Sequence, residues 1–568
     1  MNKDSLWICI ILGFFLLFLF LSYKENRNRK EKFLKGLRES YGTLPGKVYT
    51  EEQLQEIAAY FQDTGKNGFF IDSITWEDLD LKRMFQNLNH TASSPGEEYL
   101  YRMLRTPLFE EPVLEERERL ITYFEEHTKE REKLQEILSR IRKNGKTSFW
   151  STLQIKKEYD AGKTWKQILM FVGFFLSLGF FMIDPAPGVF IFLLVCTVNI
   201  LTYVRDKGVI EDYLTGFQSV YRLLDAAKRF RKQNPEGLEA YTARLKNCEE
   251  EFAGFQSFSG LVLNREGFSG GMGSLLLDYI RMMTHVDLIK FNSMRKEMLL
   301  HRKEIEEMVE IFGLLDACIS IASYRKTLPY YTVPEWIAYE KKQPVFMEAD
   351  ELFHPLIRKP VPNSIHGSGG VLVTGSNASG KSTFLKAVAL NAILAQTIHT
   401  CGAKKYRAPF FKILTSMALR DDLEKDESYF IVEIRSLKRI LDETKEEIPV
   451  LCIIDEVLRG TNTIERIAAS SRILSHLVKP HVLPFAATHD IELSYILEGR
   501  YKNYHFEEEV KEKDVKFNYL LKKGRTSTRN AIRLLAMAGY DREIVEESED
   551  AVAGFEAEGI WKKVHAPL

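Results

Sequence analysis

Nine residues, Gly375-Ser376-Asn377-Ala378-Ser379-Gly380-Lys381-Ser382-Thr383, leave this chain few folds to choose from. They fit G-x-x-x-x-G-K-[ST], a loop whose backbone N–H groups cradle the phosphates of a nucleotide. Val371-Leu372-Val373-Thr374 reads as a buried strand before the loop, and residues 383–396 read as the helix after it. That helix places the positive end of its dipole on the phosphates. Gly375 and Gly380 permit the backbone angles of the nest, Lys381 reaches the β- and γ-phosphates, and Ser382 offers Mg²⁺ an oxygen. The pattern implies an α/β P-loop domain and, as ligands, ATP with Mg²⁺.

The second half of such a site is legible downstream. Val450-Leu451-Cys452-Ile453-Ile454-Asp455-Glu456 is an apolar run ending in two carboxylates. A buried parallel strand delivers these to the carboxyl edge of the sheet, beside the loop. Asp455 is placed to hold the water shell of Mg²⁺, and Glu456 to orient or deprotonate the attacking water. A third strand, 482–487, ends in Thr488-His489-Asp490, which places His489 to hydrogen-bond the γ-phosphate or that water.

The flanking residues choose among the ATPases that share this core. Asp421-Asp422-Leu423 and Glu427-Ser428-Tyr429-Phe430-Ile431-Val432-Glu433 precede the carboxylates; Val457-Leu458-Arg459-Gly460-Thr461-Asn462-Thr463 follows them. Together with Ala487-Thr488-His489, this set resembles the MutS family of mismatch-repair ATPases, whose pattern runs GPNxxGKST, DDLxxxxSTFxxE, DEIGRGTST and ATH. The departures are Ser376 for proline, Leu458 for glycine, Asn462 for serine and Tyr429 for threonine. None removes a phosphate, metal or water ligand. The resemblance implies ATP hydrolysis, a homodimer formed through the ATPase domains, and a Ser428 that reaches the γ-phosphate of the neighbouring subunit. Phe353-His354-Pro355 resembles the family's RHP element, which puts His354 near the nucleotide.

Upstream, the stretch from Asp80 to Thr91, with Gly96 and Leu104-Arg105-Thr106-Pro107-Leu108, resembles the opening of the family's helical core. Phe312-Gly313-Leu314-Leu315-Asp316-Ala317 resembles the return of its lever into the ATPase, and residues 275–326 carry Leu, Ile and Met at helical steps. A mismatch-recognition domain with a Phe-x-Glu wedge is not expected, because the core match begins near residue 75. The strings at Phe109 and Phe124 fall within helical-core sequence.

In place of that domain stand apolar segments. Residues 6–23 are long enough to span a bilayer, and 168–183 and 188–204 flank Asp184-Pro185-Ala186-Pro187 as a helical hairpin. Lys24, Arg27, Arg29, Lys30 and Lys32 follow the first segment. Lys156, Lys157, Lys163 and Lys166 precede the second, and Arg205 and Lys207 follow the third. The positive-inside rule then puts the N-terminus outside and both large segments in the cytoplasm, beneath a cell membrane crossed several times.

The expected organisation is a membrane anchor (1–23), a MutS core-like helical region (24–165), a transmembrane hairpin (166–204), a helical lever (205–340) and the P-loop ATPase (341–568). The fold class is therefore an α-helical lever and core with transmembrane helices, joined to an α/β ATPase. Six scattered cysteines give no disulfide frame or zinc site. The 78 Lys and Arg balance the 79 Asp and Glu, so composition gives DNA binding no support. The reading is an ATP-dependent dimeric switch on a membrane, with DNA as a possible substrate. The alternatives are a membrane scaffold using ATP only to dimerise, or a transport-associated ATPase. The latter needs LSGGQ between the loop and the carboxylates, and the similar string Phe268-Ser269-Gly270-Gly271-Met272 lies upstream of both.

Overall fold

The computed structural model describes residues 20–21, 24–25, 27–143, 147–154, 164–263, 279–376, 379–417, 429–511, 514–525, 531–561 and 563. The first expected span, 6–23, lies outside the described residues apart from Phe20 and Leu21, as do Lys156, Lys157, Lys163 and the string 268–272. The chain divides into two compact units.

The first unit (1–66, 86–102 and 119–327) is helical among its described residues. Helix α1 (Ser94–Arg105) starts in it, and its amino end is held by a carboxylate from far along the chain. Asp316 accepts from the backbone N–H groups of Ala92 (2.9 Å) and Ser93 (2.9 Å) and from the Ser93 hydroxyl (2.6 Å). These bonds satisfy donors that a helix start leaves orphaned, with a negative charge where the dipole favours one. Gly96 is required here, because a Cβ would lie 2.1 Å from Asp316 Oδ2.

Helices α2 (Thr164–Ile183) and α3 (Pro185–Gln233) reverse over the single residue Asp184, with proline at the first position of α3. Thr164–Ile183 and the Pro185–Asp206 stretch are long and apolar enough to cross a membrane, and both are mostly exposed. Ile183 and Phe190 leave 83% and 75% of their surface uncovered. No helix end marks the expected border at 204. Apolar residues surround α3 up to that point and then narrow to one face, where Phe217, Val220, Leu224 and Phe230 are buried. The helix backbone is indifferent to that change. Helices α4 (Val286–Leu300) and α5 (Arg302–Arg325), the latter largely buried, lie in the stretch expected as the lever.

The second unit (67–85, 103–118 and 328–568) differs from the expected ATPase range of 341–568. Residues from 67–85 and 103–118, expected in the helical core, pack with it through specific side chains. Asp78, on the short helix Ser73–Asp78, accepts from Thr415 Oγ1 (2.6 Å) and Met417 N (3.0 Å). Gln396 bridges Leu108 and Phe411, accepting from Phe411 N (2.8 Å) and donating to the carbonyls of Phe411 (3.1 Å) and Leu108 (3.2 Å). Such pairings depend on long-range register and leave no local periodicity.

The unit holds ten strands among the described residues: β1 (Glu335–Trp336), β2 (Phe346–Leu352), β3 (Asn363–Ser368), β4 (Gly370–Thr374), β5 (Lys405–Ala408), β6 (Lys412–Ser416), β7 (Val450–Asp455), β8 (Val482–Thr488), β9 (Tyr501–Lys511) and β10 (Asp514–Lys523). The first, second, third and fifth form a sheet in the order β1-β5-β2-β3. The other six form the main sheet, β10-β9-β4-β8-β7-β6, parallel except for the β9–β10 hairpin. β4, β7 and β8 are buried along their whole length, as parallel strands covered on both faces must be. Helices α6 (Lys381–Ile398), α7 (Tyr429–Glu443) and α8 (Thr463–Leu477) follow β4, precede β7 and follow β7.

Candidate nucleotide site

The order β4-β8-β7 brings three carboxyl ends side by side, with Thr374 opposite Thr488 and Asp455 opposite Ala487. The chain leaves β4 through Gly375 at φ +149°, where a Cβ would come within 2.9 Å of the Phe506 carbonyl. It enters α6 through Gly380 at φ +107°, a left-handed angle that glycine adopts without steric cost. α6 begins at Lys381, two residues before the expected start. The buried Lys381 Nζ donates to the carbonyls of Gly375 (2.7 Å) and Ser376 (2.8 Å), which folds the loop over its own cation. Asn377 and Ala378 lie outside the described residues, and Thr383 is exposed on the third position of the helix.

Asp455 ends β7 nearly buried and hydrogen-bonded to Ser382. Burial pushes its carboxyl above the ordinary range. Its Oδ1, and the hydroxyl of the buried Ser379, have no hydrogen-bond partner. A buried polar atom left unpaired costs about 1–3 kcal/mol. Both orphans face requirements that ATP and Mg²⁺ would meet: a donor for a phosphate oxygen, and a hard oxygen for a hydrated divalent ion. Among the described residues no group of three His, Cys, Asp or Glu side chains is arranged to hold a metal ion by itself, and Ser382 with Asp455 offers oxygens suited to an ion that also takes phosphate oxygens and water.

Glu456 follows at φ +54° and its N–H donates to the Ala487 carbonyl (2.9 Å). Its carboxylate meets His489 Nε2 at 2.6 Å and pairs with Arg459. Burial alone would raise this carboxyl; the His489 hydrogen bond and the charges of His489, Arg459 and Lys381 outweigh it and hold the group below the ordinary glutamate range. His489 also lies 3.4 Å from Lys381 Nζ. The expected trio of Lys381, Glu456 and His489 therefore meets in one place. Asp490, next along, forms a two-pronged pair with Arg466 of α8 at 2.9 and 2.7 Å, fixing the strand end.

His354 stands apart from that trio. It follows β2, is buried, accepts at Nδ1 from Leu356 N (3.2 Å), and is pushed down to about 4 by burial and by the charges of Lys386 and Arg83. Ser428, with Asp421 and Asp422, lies outside the described residues. Two groups to which the motifs assigned no role complete the site. Arg459 neutralises Glu456, and Glu433 of α7 accepts from the N–H of Leu458, itself left-handed at φ +59°. Asn462, which replaces serine in the resembled pattern, still caps α8 by accepting from Glu465 N at 2.9 Å.

Residues 371–556 match the family described as MutS domain V. Over 314 residues the chain is 30% identical to the DNA mismatch repair protein MutS of Carboxydothermus hydrogenoformans, covering 52% of this chain and 36% of that protein. It is 33% identical over 218 residues to the MutS of a Thermus thermophilus strain, covering 37% and 27%. It is 29% identical over 289 residues to a DNA mismatch repair protein MutS 2 of Haloarcula marismortui, covering 47% and 30%. The chain thus spans about a third of the length of the curated relatives it matches. These matches support membership of the MutS family.

Proposed function

We propose that this chain, which carries a MutS domain V, is a Mg²⁺-dependent ATPase whose ATP state switches a dimer, anchored to a membrane by its apolar hairpin. The observation that carries the catalytic part is the convergence of Lys381, Glu456 and His489 at the carboxyl ends of β4, β7 and β8. The loop from Gly375 to Thr383 would bind the phosphates, with Lys381 exchanging loop carbonyls for phosphate oxygens. Ser382 and Asp455 would hold Mg²⁺, which supplies charge neutralisation of the phosphates. Glu456, kept ionised by His489 and Arg459, accepts a hydrogen bond from the attacking water and orients it. His489 fixes that carboxylate through Nε2 and, when both ring nitrogens are protonated, can also donate from Nδ1 toward the γ-phosphate.

The membrane part rests on the hairpin. Two adjacent helices of spanning length that expose Phe, Leu and Ile over most of their surface lack a soluble rationale within their own unit. Ser428 and dimer assembly enter by resemblance alone. DNA is a second-rank partner. The relatives are named for DNA mismatch repair, whereas the balanced charge of this chain favours the other reading, an ATP-dependent membrane scaffold or transport-associated ATPase with no DNA role. Purified protein in detergent, titrated with branched and mismatched duplexes with and without ATP, separates them. Nucleotide-dependent affinity for DNA supports the repair-related reading; ATP turnover without any DNA binding supports the transport-associated ATPase, and ATP-dependent dimerisation with slow or absent turnover supports the scaffold.

A further inference from the structure

The turn that carries Glu456 is held in an unusual way. Glu456 and Leu458, neither of them glycine, both adopt left-handed backbone angles, at φ +54° and +59°. Side chains rarely take these angles, and a turn with two of them persists only where its surroundings over-determine it. Three elements supply that restraint. From β8, the Ala487 carbonyl accepts the Glu456 N–H at 2.9 Å. From α8, the Ser470 hydroxyl donates to the Val457 carbonyl at 3.2 Å. From α7, the Glu433 carboxyl, only 6% exposed, accepts the Leu458 N–H; burial pushes this group above the ordinary glutamate range, and the N–H groups of Leu458 and Arg459 act against that shift. Only the third restraint comes from a carboxyl side chain, and it acts on the second left-handed residue. Its helix is itself fixed two turns further on, where Arg439 binds Asp72 and the Thr415 carbonyl.

We infer that Glu433 is a positioning residue for hydrolysis: it locks the left-handed turn 456–458, and so aims Glu456 at His489 and the attacking water. This rests on the reading that Glu456 orients that water. Glu433 sits outside the cluster of Lys381, Glu456 and His489, so its loss affects the geometry of the carboxylate while leaving the phosphate loop intact. The signature is a fall in kcat with ATP affinity preserved.

The test compares kcat and ATP binding of the full chain in detergent for the parent, Glu456→Gln, Glu433→Gln, Glu433→Ala, and Glu433→Ala combined with Leu458→Gly. Glu433→Ala is expected to lower kcat about 10-fold or more with ATP affinity within about 2-fold, because misplacing a catalytic group by an ångström costs up to about 10²-fold. Glu433→Gln keeps one acceptor oxygen and loses less. Adding Leu458→Gly is expected to restore about 3-fold or more of the lost kcat, since glycine takes the left-handed angle without needing the restraint. A merely structural glutamate gives no such rescue. A parental kcat in Glu433→Ala beside a slow Glu456→Gln overturns this inference alone, as does a slow Glu433→Ala that Leu458→Gly leaves unrescued. A parental rate in Glu456→Gln overturns the underlying reading and this one with it. If Glu433→Ala does not fold, the ranking of Glu433→Gln below the parent in kcat, with unchanged ATP affinity, carries the same decision.

Discussion

His489 Nε2 lies 2.6 Å from Oε1 of Glu456, although the two residues follow different strands and are 33 positions apart in sequence. This contact ties the ends of β7 and β8 together at the edge where β4 delivers the phosphate loop. It also sets the chemistry. Burial favours a neutral Glu456, but His489, Arg459 and Lys381 together keep it charged. A carboxylate held below its ordinary range is a weak proton acceptor that stays ionised and can still accept a charge-assisted hydrogen bond. Its suited role is to orient water, with full proton transfer left to the late stage of the reaction, where phosphoryl transfer asks little of a base.

The first prediction separates binding from turnover. Glu456→Gln is expected to keep ATP binding and lose about 10²-fold or more in turnover, because an amide cannot replace the charged acceptor. Lys381→Ala is expected to lose binding as well. Equilibrium binding of a fluorescent ATP analogue beside steady-state phosphate release checks both. Parental turnover in Glu456→Gln removes that residue from the mechanism.

Much of this site is legible in the sequence because its determinants are local. An apolar run announces a buried strand, and glycines at fixed spacing announce the loop between strand and helix. What stays hidden is set by partners far away in the chain. Asp78 reaches Thr415 and Met417, Gln396 bridges Leu108 and Phe411, and Asp316 caps the start of α1. Each looks like an ordinary polar residue on a helix. The border expected at 204 is a change in hydropathy with no change in helix propensity, so α3 runs through it. Leu458 stands where the resembled pattern has glycine, and only the folded backbone reveals that it keeps the glycine-like angle.

A second prediction concerns pH. Glu98, on α1, is fully buried and accepts from the N–H groups of Phe149 (2.5 Å) and Trp150 (3.0 Å). Burial outweighs those donors and pushes its carboxyl from 4.5 up to about 8. A folded value above the unfolded one means that its contribution to stability is complete below pH 4.5 and is lost as pH rises through about 8. Glu98→Gln, neutral at every pH, is expected to match the parent most closely at acidic pH and to gain on it steadily up to pH 9. Groups common to both proteins cancel in the difference. Urea midpoints at pH 5, 7 and 9 check this, and a difference that does not grow with pH contradicts a raised Glu98.

A third prediction tests the membrane reading. With native cysteines replaced, a cysteine at Ala186, in the first turn of α3, is expected to react with a membrane-impermeant thiol reagent added to intact cells. One at Asn234, which caps the far end of the same helix, is expected to react only after lysis. Labelling at both positions in intact cells, or the reverse pattern, sinks the topology with the hairpin tip outside.

The last prediction concerns assembly. By resemblance, Ser428 reaches the γ-phosphate held by the neighbouring subunit, so that two ATPase domains complete each other's sites. A hydroxyl donating one hydrogen bond to a charged oxygen is worth about 1.5–3 kcal/mol, enough to make turnover depend on it. The competing role is local: Ser428 immediately precedes α7, and serine is a favoured helix cap. Mixing distinguishes the two. Lys381→Ala and Ser428→Ala proteins are each expected to be inactive alone, the first for want of ATP binding and the second for want of the donated hydrogen bond. In the mixed dimer one site combines an intact Lys381 with an intact Ser428 from its partner, while the other lacks both. Recovery of up to about half of the parental activity per heterodimer is expected if the site is shared, since turnover follows the one complete constellation. A capping serine acts within its own subunit and gives a different result. Each polypeptide in the mixture still carries its own defect, so heterodimers shown to form by cross-linking would stay as inactive as their parents.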